Sequence, residues 1–142
     1  MNKAAIIGTV IAIVFVTGIV VNAFFFTTPL TPFQPVSFQS KGVTGYIFPS
    51  SNLQSSISTR VGETFIVQLT SSGDYEWIVT TSDGIHFLNY TVVGMSHQPA
   101  GEVRNYFFTA VRAGSQTITL QHQHGLRPKI VSSTIKISVS VS

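Results

Sequence analysis

The chain has 142 residues, of which 44% are hydrophobic and only 9% are charged, and its formal net charge is +3. This length favours one domain, and the high hydrophobic content excludes a disordered chain, which combines low hydrophobicity with high net charge. The lack of cysteine excludes a disulfide scaffold and a thiolate zinc site. The eight basic residues are scattered from Lys3 to Lys136, so no nucleic-acid partner is predicted, because nucleic-acid binders cluster such residues on one face.

The first predicted element is an apolar segment, Ala4–Phe26, which contains no charged residue. About 20 apolar residues in a helix cross a bilayer, so residues 1–26 are predicted to be a membrane anchor or a signal helix. Lys3 precedes the segment, and the positive-inside tendency then places the C-terminal part outside the cell membrane. Small residues around Ala23 suit a signal peptidase, so cleavage and secretion are an alternative to a single-pass anchor. Packing of this helix into a pilin-like filament is a further alternative.

Residues 27–40 follow and contain Pro29, Pro32 and Pro35. Prolines at every third position are typical of an extended spacer, so this segment is predicted to hold a domain away from the membrane. The domain itself is predicted to span residues 41–142. That length is short for an enzyme with a deep cleft but sufficient for a seven-stranded sandwich of about 100 residues.

Apolar and polar residues alternate in five segments of this domain, and a period of two is typical of strands with one buried and one solvent-facing side. The residues expected to face inward are Phe65, Val67 and Leu69; Trp77 and Val79; Tyr106, Phe108 and Ala110; Ile118 and Leu120; and Ile135, Ile137, Val139 and Val141. Turn-forming clusters such as Ser82-Asp83-Gly84 separate these segments. The pattern therefore predicts an all-β fold, either a sandwich or a barrel.

An ordered series of short motifs runs through the same region. Its members are Val61–Leu69, Tyr75-Glu76-Trp77, Phe108-Thr109-Ala110, Gly114, Ile118-Thr119-Leu120, Arg127-Pro128 and Ile135–Val139. This series resembles the chagasin family of cysteine-protease inhibitors. The resemblance implies an immunoglobulin-like β-sandwich that is not an enzyme and needs no cofactor. It further implies that three loops at one end of the sandwich fill the active-site cleft of a papain-like cysteine protease.

The resemblance also implies which residues would bind the protease. The central loop would be Thr70–Asp74 followed by Tyr75, and its members are Thr70, Ser71, Ser72, Gly73, Asp74 and Tyr75. The side loops would lie near Pro99–Arg104 and at Gly125–Lys129, with Ala100, Gly101, Glu102, Arg127, Pro128 and Lys129 as contacts. Gly73 stands where the family has its key threonine, and Lys129 stands where it has an aromatic residue that would anchor the interface. A structural or adhesive surface module without inhibitory activity is therefore an alternative.

Several other residues are candidates for a structural or chemical role. Trp77 is predicted to be the central core residue of the sandwich. His122 and His124 lie two residues apart on one strand face, but no cysteine or acidic residue is near to complete a metal site, so none is predicted. These histidines are expected to make binding near the third loop sensitive to pH. The five acidic residues form no catalytic group, and Asn89-Tyr90-Thr91 is an N-glycosylation sequon.

Overall fold

The computed structural model describes residues 30–98, 100–124 and 130–142. In this part of the chain ten strands form two five-stranded sheets. The first sheet contains, in spatial order, β1 (Thr31–Pro32), β4 (Leu53–Thr59), β10 (Val131–Val141), β9 (Gly114–His124) and β6 (Tyr75–Thr81). The second sheet contains β2 (Val36–Ser40), β3 (Val43–Ile47), β5 (Thr64–Ser71), β8 (Ala100–Ala110) and β7 (Ile85–His97). The all-β prediction is confirmed, with more strands than the seven expected.

The core lies between the two sheets and is built from the inward-facing residues of the alternating segments. Phe65 and Phe108 stack with ring centroids 5.6 Å apart, and Ile118, Leu120 and Ile137 are fully buried. Because each strand places every second side chain on the same side, the local sequence pattern already selects the core residues. The two sheets packed around this core have the arrangement of an immunoglobulin-like sandwich.

The alternation prediction is wrong at Ile66, which was expected to face solvent but is only 1% exposed. The strand register aligns Phe38, Gly45, Ile66 and Phe107 in one row across the outer side of the second sheet. A Cβ atom on residue 45 would lie 2.2 Å from the Phe38 ring, so the ring rests directly on Gly45. This apolar row covers Ile66 from outside.

The spacer prediction is wrong from Thr31 onward, because this segment supplies strands to both sheets. Thr31 and Pro32 form β1 beside β4, and the amide of Phe33 donates to the carbonyl of Gln54 at 2.8 Å. The Phe33 ring packs against Phe48 at a centroid distance of 6.0 Å. Proline is tolerated in β1 because an edge strand has one side without hydrogen-bond partners. The domain therefore begins about ten residues before the predicted boundary at residue 41.

The predicted N-terminal helix, residues 1–26, lies outside the described residues. In the part of the chain that the structure describes, no helix is long and apolar enough to span a bilayer.

Four strand ends meet at one end of the sandwich. The last residue of β5, Ser71, pairs with Glu102 near the start of β8. The first residue of β6, Tyr75, pairs with His124 at the end of β9. This end therefore brings together the central predicted segment, the described start of β8 and the strand residue that precedes the third predicted segment.

Candidate functional site

The central turn, which we define as Ser72–Asp74, carries the chain from the second sheet to the first. Its closure depends on two hydrogen bonds. The hydroxyl of Ser71 donates to the carbonyl of Tyr75 at 2.6 Å, and the amide of Tyr75 donates to the carbonyl of Ser72 at 3.1 Å. Gly73 has a φ of 57°, a left-handed conformation that glycine adopts without steric cost. Gly73 and Asp74 are exposed and form the outermost part of the turn.

The predicted central loop is longer than the turn that the structure shows. Thr70 and Ser71 are the last residues of β5, and Ser71 is only 4% exposed. The carbonyl of Thr70 accepts hydrogen bonds from the indole of Trp77 and the hydroxyl of Ser50, each at 3.0 Å. These contacts hold Thr70 and Ser71 in the sandwich, so the prediction that they lie in the loop is wrong. Sequence motifs missed this because they do not reveal where strand pairing ends.

The second predicted segment contacts the central turn directly. Ala100, Gly101 and Glu102 begin β8, so the prediction that they form a loop is wrong, while Pro99 lies outside the described residues. A Cβ atom on residue 101 would lie 2.2 Å from the carbonyl oxygen of Ser71. Only glycine permits this approach, because backbone atoms on the opposing strand cannot move aside as a flexible side chain can.

Glu102 is already engaged within the domain. Its carboxylate accepts two hydrogen bonds from the Arg104 guanidinium, at 2.7 and 3.0 Å. The guanidinium also lies 4.9 Å from the centroid of the Tyr90 ring. Such a charge-assisted pair is stronger than a neutral hydrogen bond, so the Glu102 charge is balanced before any partner arrives. Arg104 ends the predicted side segment Pro99–Arg104, and its spacing of two from Glu102 on one strand places both on the same face.

The third predicted segment, with Arg127, Pro128 and Lys129, lies outside the described residues. Its flanking residues are described, and the amide of His124 donates to the carbonyl of Ile130 at 3.0 Å. The His124 ring lies 4.9 Å from the Tyr75 ring, and its Nε2 lies 3.8 Å from Oδ2 of Asp74. The strand ends that flank the third segment therefore lie beside the central turn.

Trp77 and His122 form the aromatic floor beneath this end. Their rings stack at a centroid distance of 4.6 Å, and Trp77 is 5% exposed, which confirms its prediction as a core residue. Nδ1 of His122 lies 2.9 Å from the hydroxyl of Ser132. Burial lowers the pKa of His122 from its ordinary value of 6.5, so the neutral imidazole is favoured in the folded chain.

The histidines do not assemble a metal centre in the described part of the chain. No group of three or more histidine, cysteine, aspartate or glutamate side chains is placed there to hold an ion. His122 and His124 instead both pack against Tyr75, at centroid distances of 5.0 and 4.9 Å. Tyr75 thus links the start of β6 to the aromatic floor, and its role at this end is packing.

The lowered pKa of His122 predicts a pH-dependent stability. The unfolded chain binds a proton near pH 6.5, whereas the folded chain binds it only at lower pH, so the free energy of unfolding falls as pH decreases through 6.5. The decrease is at most about 1.4 kcal/mol per pH unit and stops below the folded-state pKa. Thermal unfolding between pH 8 and pH 4.5 measures it. His122→Asn is expected to flatten this pH dependence. His97→Asn, at an exposed position, is expected to retain it. Equal slopes of stability against pH in both variants would contradict the assignment of the effect to His122.

An open groove of about 530 Å³ lies beside the central turn. Its lining residues are Gly73, Asp74, Tyr75, Glu76, Ile78, Arg104, Gln123 and His124. The groove thus combines two carboxylates and the Arg104 guanidinium with residues of the central turn.

No protein-family model matches the sequence, and no curated protein matches it significantly. Among solved structures, the chain is similar to the cysteine protease inhibitor EhICP2 from Entamoeba histolytica, with a TM-score of 0.57 and 15% identity. The domain has the fold of this inhibitor. The similarity covers 69% of this chain and 95% of EhICP2, and it confirms the resemblance to chagasin-type inhibitors at the level of the fold.

Two further solved structures are similar at lower scores. Amebosin has a TM-score of 0.47 and 18% identity, over 68% of this chain and 96% of its own. PbICP-C, whose structure was solved in complex with falcipain-2, has a TM-score of 0.43 and 16% identity, over 68% of this chain and 98% of its own.

Proposed function

We propose that this chain inhibits papain-like cysteine proteases by inserting the central turn, Ser72–Asp74, into the active-site cleft. The contact between Gly101 and the Ser71 carbonyl carries the proposal, because it joins two of the three implied binding segments at one end of the sandwich. The fold of EhICP2, described as a cysteine protease inhibitor, supports the same conclusion. Inhibition is steric: a turn held by its own hydrogen bonds enters the cleft with little loss of conformational entropy.

Titration of papain with the full-length chain, followed with a fluorogenic substrate, tests the proposal. Asp74→Arg places a bulky side chain of reversed charge at the tip of the turn, and it is expected to raise the inhibition constant at least about tenfold, or about 1.4 kcal/mol. Asp83→Arg is the matched control, because Asp83 follows the opposite end of β6 and the two aspartate side chains are 90% and 91% exposed. The control is expected to inhibit like the unmodified chain.

A structural or adhesive module without inhibitory activity is the second candidate. The shortness of the central turn favours it, since Thr70 and Ser71 belong to β5 and leave only three residues to enter a cleft. Absence of inhibition at about 50 µM, which corresponds to binding weaker than about −6 kcal/mol, would select this candidate. If Asp74→Arg and Asp83→Arg weaken inhibition equally, the proposed role of the central turn is also contradicted.

We propose that residues 1–26 attach the domain to the outer face of the cell membrane. The support is the uncharged length of Ala4–Phe26 together with Lys3 on its N-terminal side. Mass spectrometry of the native protein distinguishes a membrane-anchored form from a cleaved, secreted form. A retained N-terminus indicates an anchored protein, and a new N-terminus near Phe24 indicates a secreted one.

A further inference from the structure

The strands at the sheet edges differ in their protection against pairing with another chain. Natural edge strands are commonly short, or carry charged residues or proline. Of the described edges, β1 has two residues including Pro32, β2 has five residues, and β6 has seven residues including Glu76. The fourth edge, β7, has 13 residues without proline or any aspartate, glutamate, lysine or arginine. This strand therefore lacks the length limit and the side chains that protect the other three.

The same strand exposes the longest run of apolar side chains at the sheet edges described. The exposed fractions are 39% for Phe87, 54% for Leu88, 47% for Tyr90, 52% for Val92, 52% for Val93 and 69% for Met95. Together these side chains offer an apolar area on the order of 600 Å², against about 800 Å² per partner in a standard interface. Pairing along the strand would cover part of this area and would add backbone hydrogen bonds to it.

The side chains of β7 have a symmetric pattern around Thr91. Register with β8 pairs Phe87 with Phe108 and Tyr90 with Tyr106, so these residues face the inner side of the sheet. Val92 and Met95 pair with Arg104 and Glu102, which lie on that same side.

Two bulges produce this symmetry. The register with β8 shifts between Phe87 and Asn89 and again between Val92 and Gly94. Each bulge inserts one extra residue, so two residues separate positions 87 and 90, and two residues separate positions 92 and 95. The inner-facing positions 87, 90, 92 and 95 are therefore placed equally on the two sides of Thr91.

We propose that β7 pairs with β7 of a second copy of this chain, antiparallel and with a two-fold axis at Thr91. In this register Tyr90 meets Val92 of the other copy, and Phe87 meets Met95 of the other copy. Directly opposite residues in an antiparallel pair must face the same side, and the symmetric spacing satisfies this on both sides of each bulge. The lack of aspartate, glutamate, lysine and arginine on β7 also avoids like-charge repulsion between the two identical strands.

This pairing leaves the candidate functional site of each copy accessible. His97, at the C-terminal end of β7, lies opposite Ala100, next to Gly101 and the central turn. An antiparallel arrangement places this end of each copy at an opposite end of the dimer. The dimer thus displays two outward-facing turns, and its existence does not depend on whether those turns inhibit a protease.

Disulfide trapping tests this register, because the chain contains no cysteine of its own. Opposing residues of an antiparallel pair have Cα atoms about 4.5–5.5 Å apart, within the range that a disulfide spans. The full-length Thr91→Cys variant, made in a bacterial host that leaves Asn89 unmodified and kept in mild detergent, is expected to oxidise mainly to a reducible dimer. Thr80→Cys is the matched control, since Thr80 is an exposed threonine on edge strand β6, and it is expected to remain mainly monomeric.

Charge insertion provides the second measurement. Thr91→Lys places two ammonium groups next to each other at the axis, and light scattering after size exclusion is expected to show loss of the dimer, whereas Thr80→Lys retains it. Circular dichroism checks that both variants fold. If the chain is monomeric at about 100 µM, its free energy of dimerisation is weaker than about −5.5 kcal/mol, and the proposal is overturned. A dimer that survives Thr91→Lys, or equal crosslinking of the two cysteine variants, would overturn it as well.

Discussion

Replacement of Trp77 by alanine is expected to lower the free energy of unfolding by about 3–5 kcal/mol, the range for removing a large buried aromatic side chain. The Trp77 ring is 5% exposed and stacks on His122 at 4.6 Å. Its indole also donates the hydrogen bond to the carbonyl of Thr70 that joins the two sheets beneath the central turn. Domains of this size have a total stability of about 5–15 kcal/mol, so the loss is a large part of the whole.

The measurement is denaturant unfolding followed by circular dichroism, because Trp77 is the single tryptophan of the chain and its fluorescence disappears with it. Trp77→Phe is the matched variant, since it keeps a ring against His122 and removes only the indole donor and part of the volume. Its loss is expected to be smaller, about 1–2 kcal/mol. A loss below about 1 kcal/mol in Trp77→Ala would contradict the assignment of Trp77 to the core.

Gly101→Ala is expected to lower the free energy of unfolding by about 1–3 kcal/mol, the usual cost of forcing extra atoms into a packed site. The added methyl group would lie 2.2 Å from the carbonyl oxygen of Ser71 and 2.9 Å from Cα of Ser72. Both are backbone atoms, so relief requires the two strands to separate where they support the central turn. We therefore expect this variant to displace the turn as well as destabilise the fold.

Gly94→Ala is the control for this substitution, because Gly94 lies on the neighbouring strand β7 and no atom lies within 4 Å of its added Cβ. It is expected to change stability by less than about 0.5 kcal/mol, as an alanine does where it meets open space. Thermal unfolding compares the two variants, and hydrogen exchange of the Ser72 and Tyr75 amides reports on the turn. Equal stability of Gly101→Ala and Gly94→Ala would show that the close contact does not hold the turn.

The alternating pattern predicted the core accurately in the strands that have one clearly polar side. The inward positions of β9 and β10, such as Ile118, Leu120 and Ile137, were assigned from the sequence and are fully buried. The pattern did not predict β2, whose residues looked like a spacer, or β7, whose apolar residues occur on both sides. Both are edge strands whose side chains lie largely outside the core, so burial does not impose an alternation on them.

The local structure around the candidate site was predicted in part. The ordered motifs placed Ser72, Gly73 and Asp74 in the central turn, and the structure agrees. They assigned Thr70 and Gly101 to loops, whereas both lie in strands, and they left the pairing of Glu102 with Arg104 unseen. Motifs record residue types along the chain, but the end of a strand depends on whether its neighbour continues beside it.

The amino-acid sequence by itself determined that the domain is all-β and which side of most strands is buried, because these properties follow from a period of two over a few neighbouring residues. Only the tertiary structure decided that Gly101 meets Ser71 and that His124 lies beside Asp74. It also decided that β7 lies at an edge of its sheet among the described strands. These features depend on the register and order of strands far apart in the chain, and many strand orders bury the same inward side chains equally well.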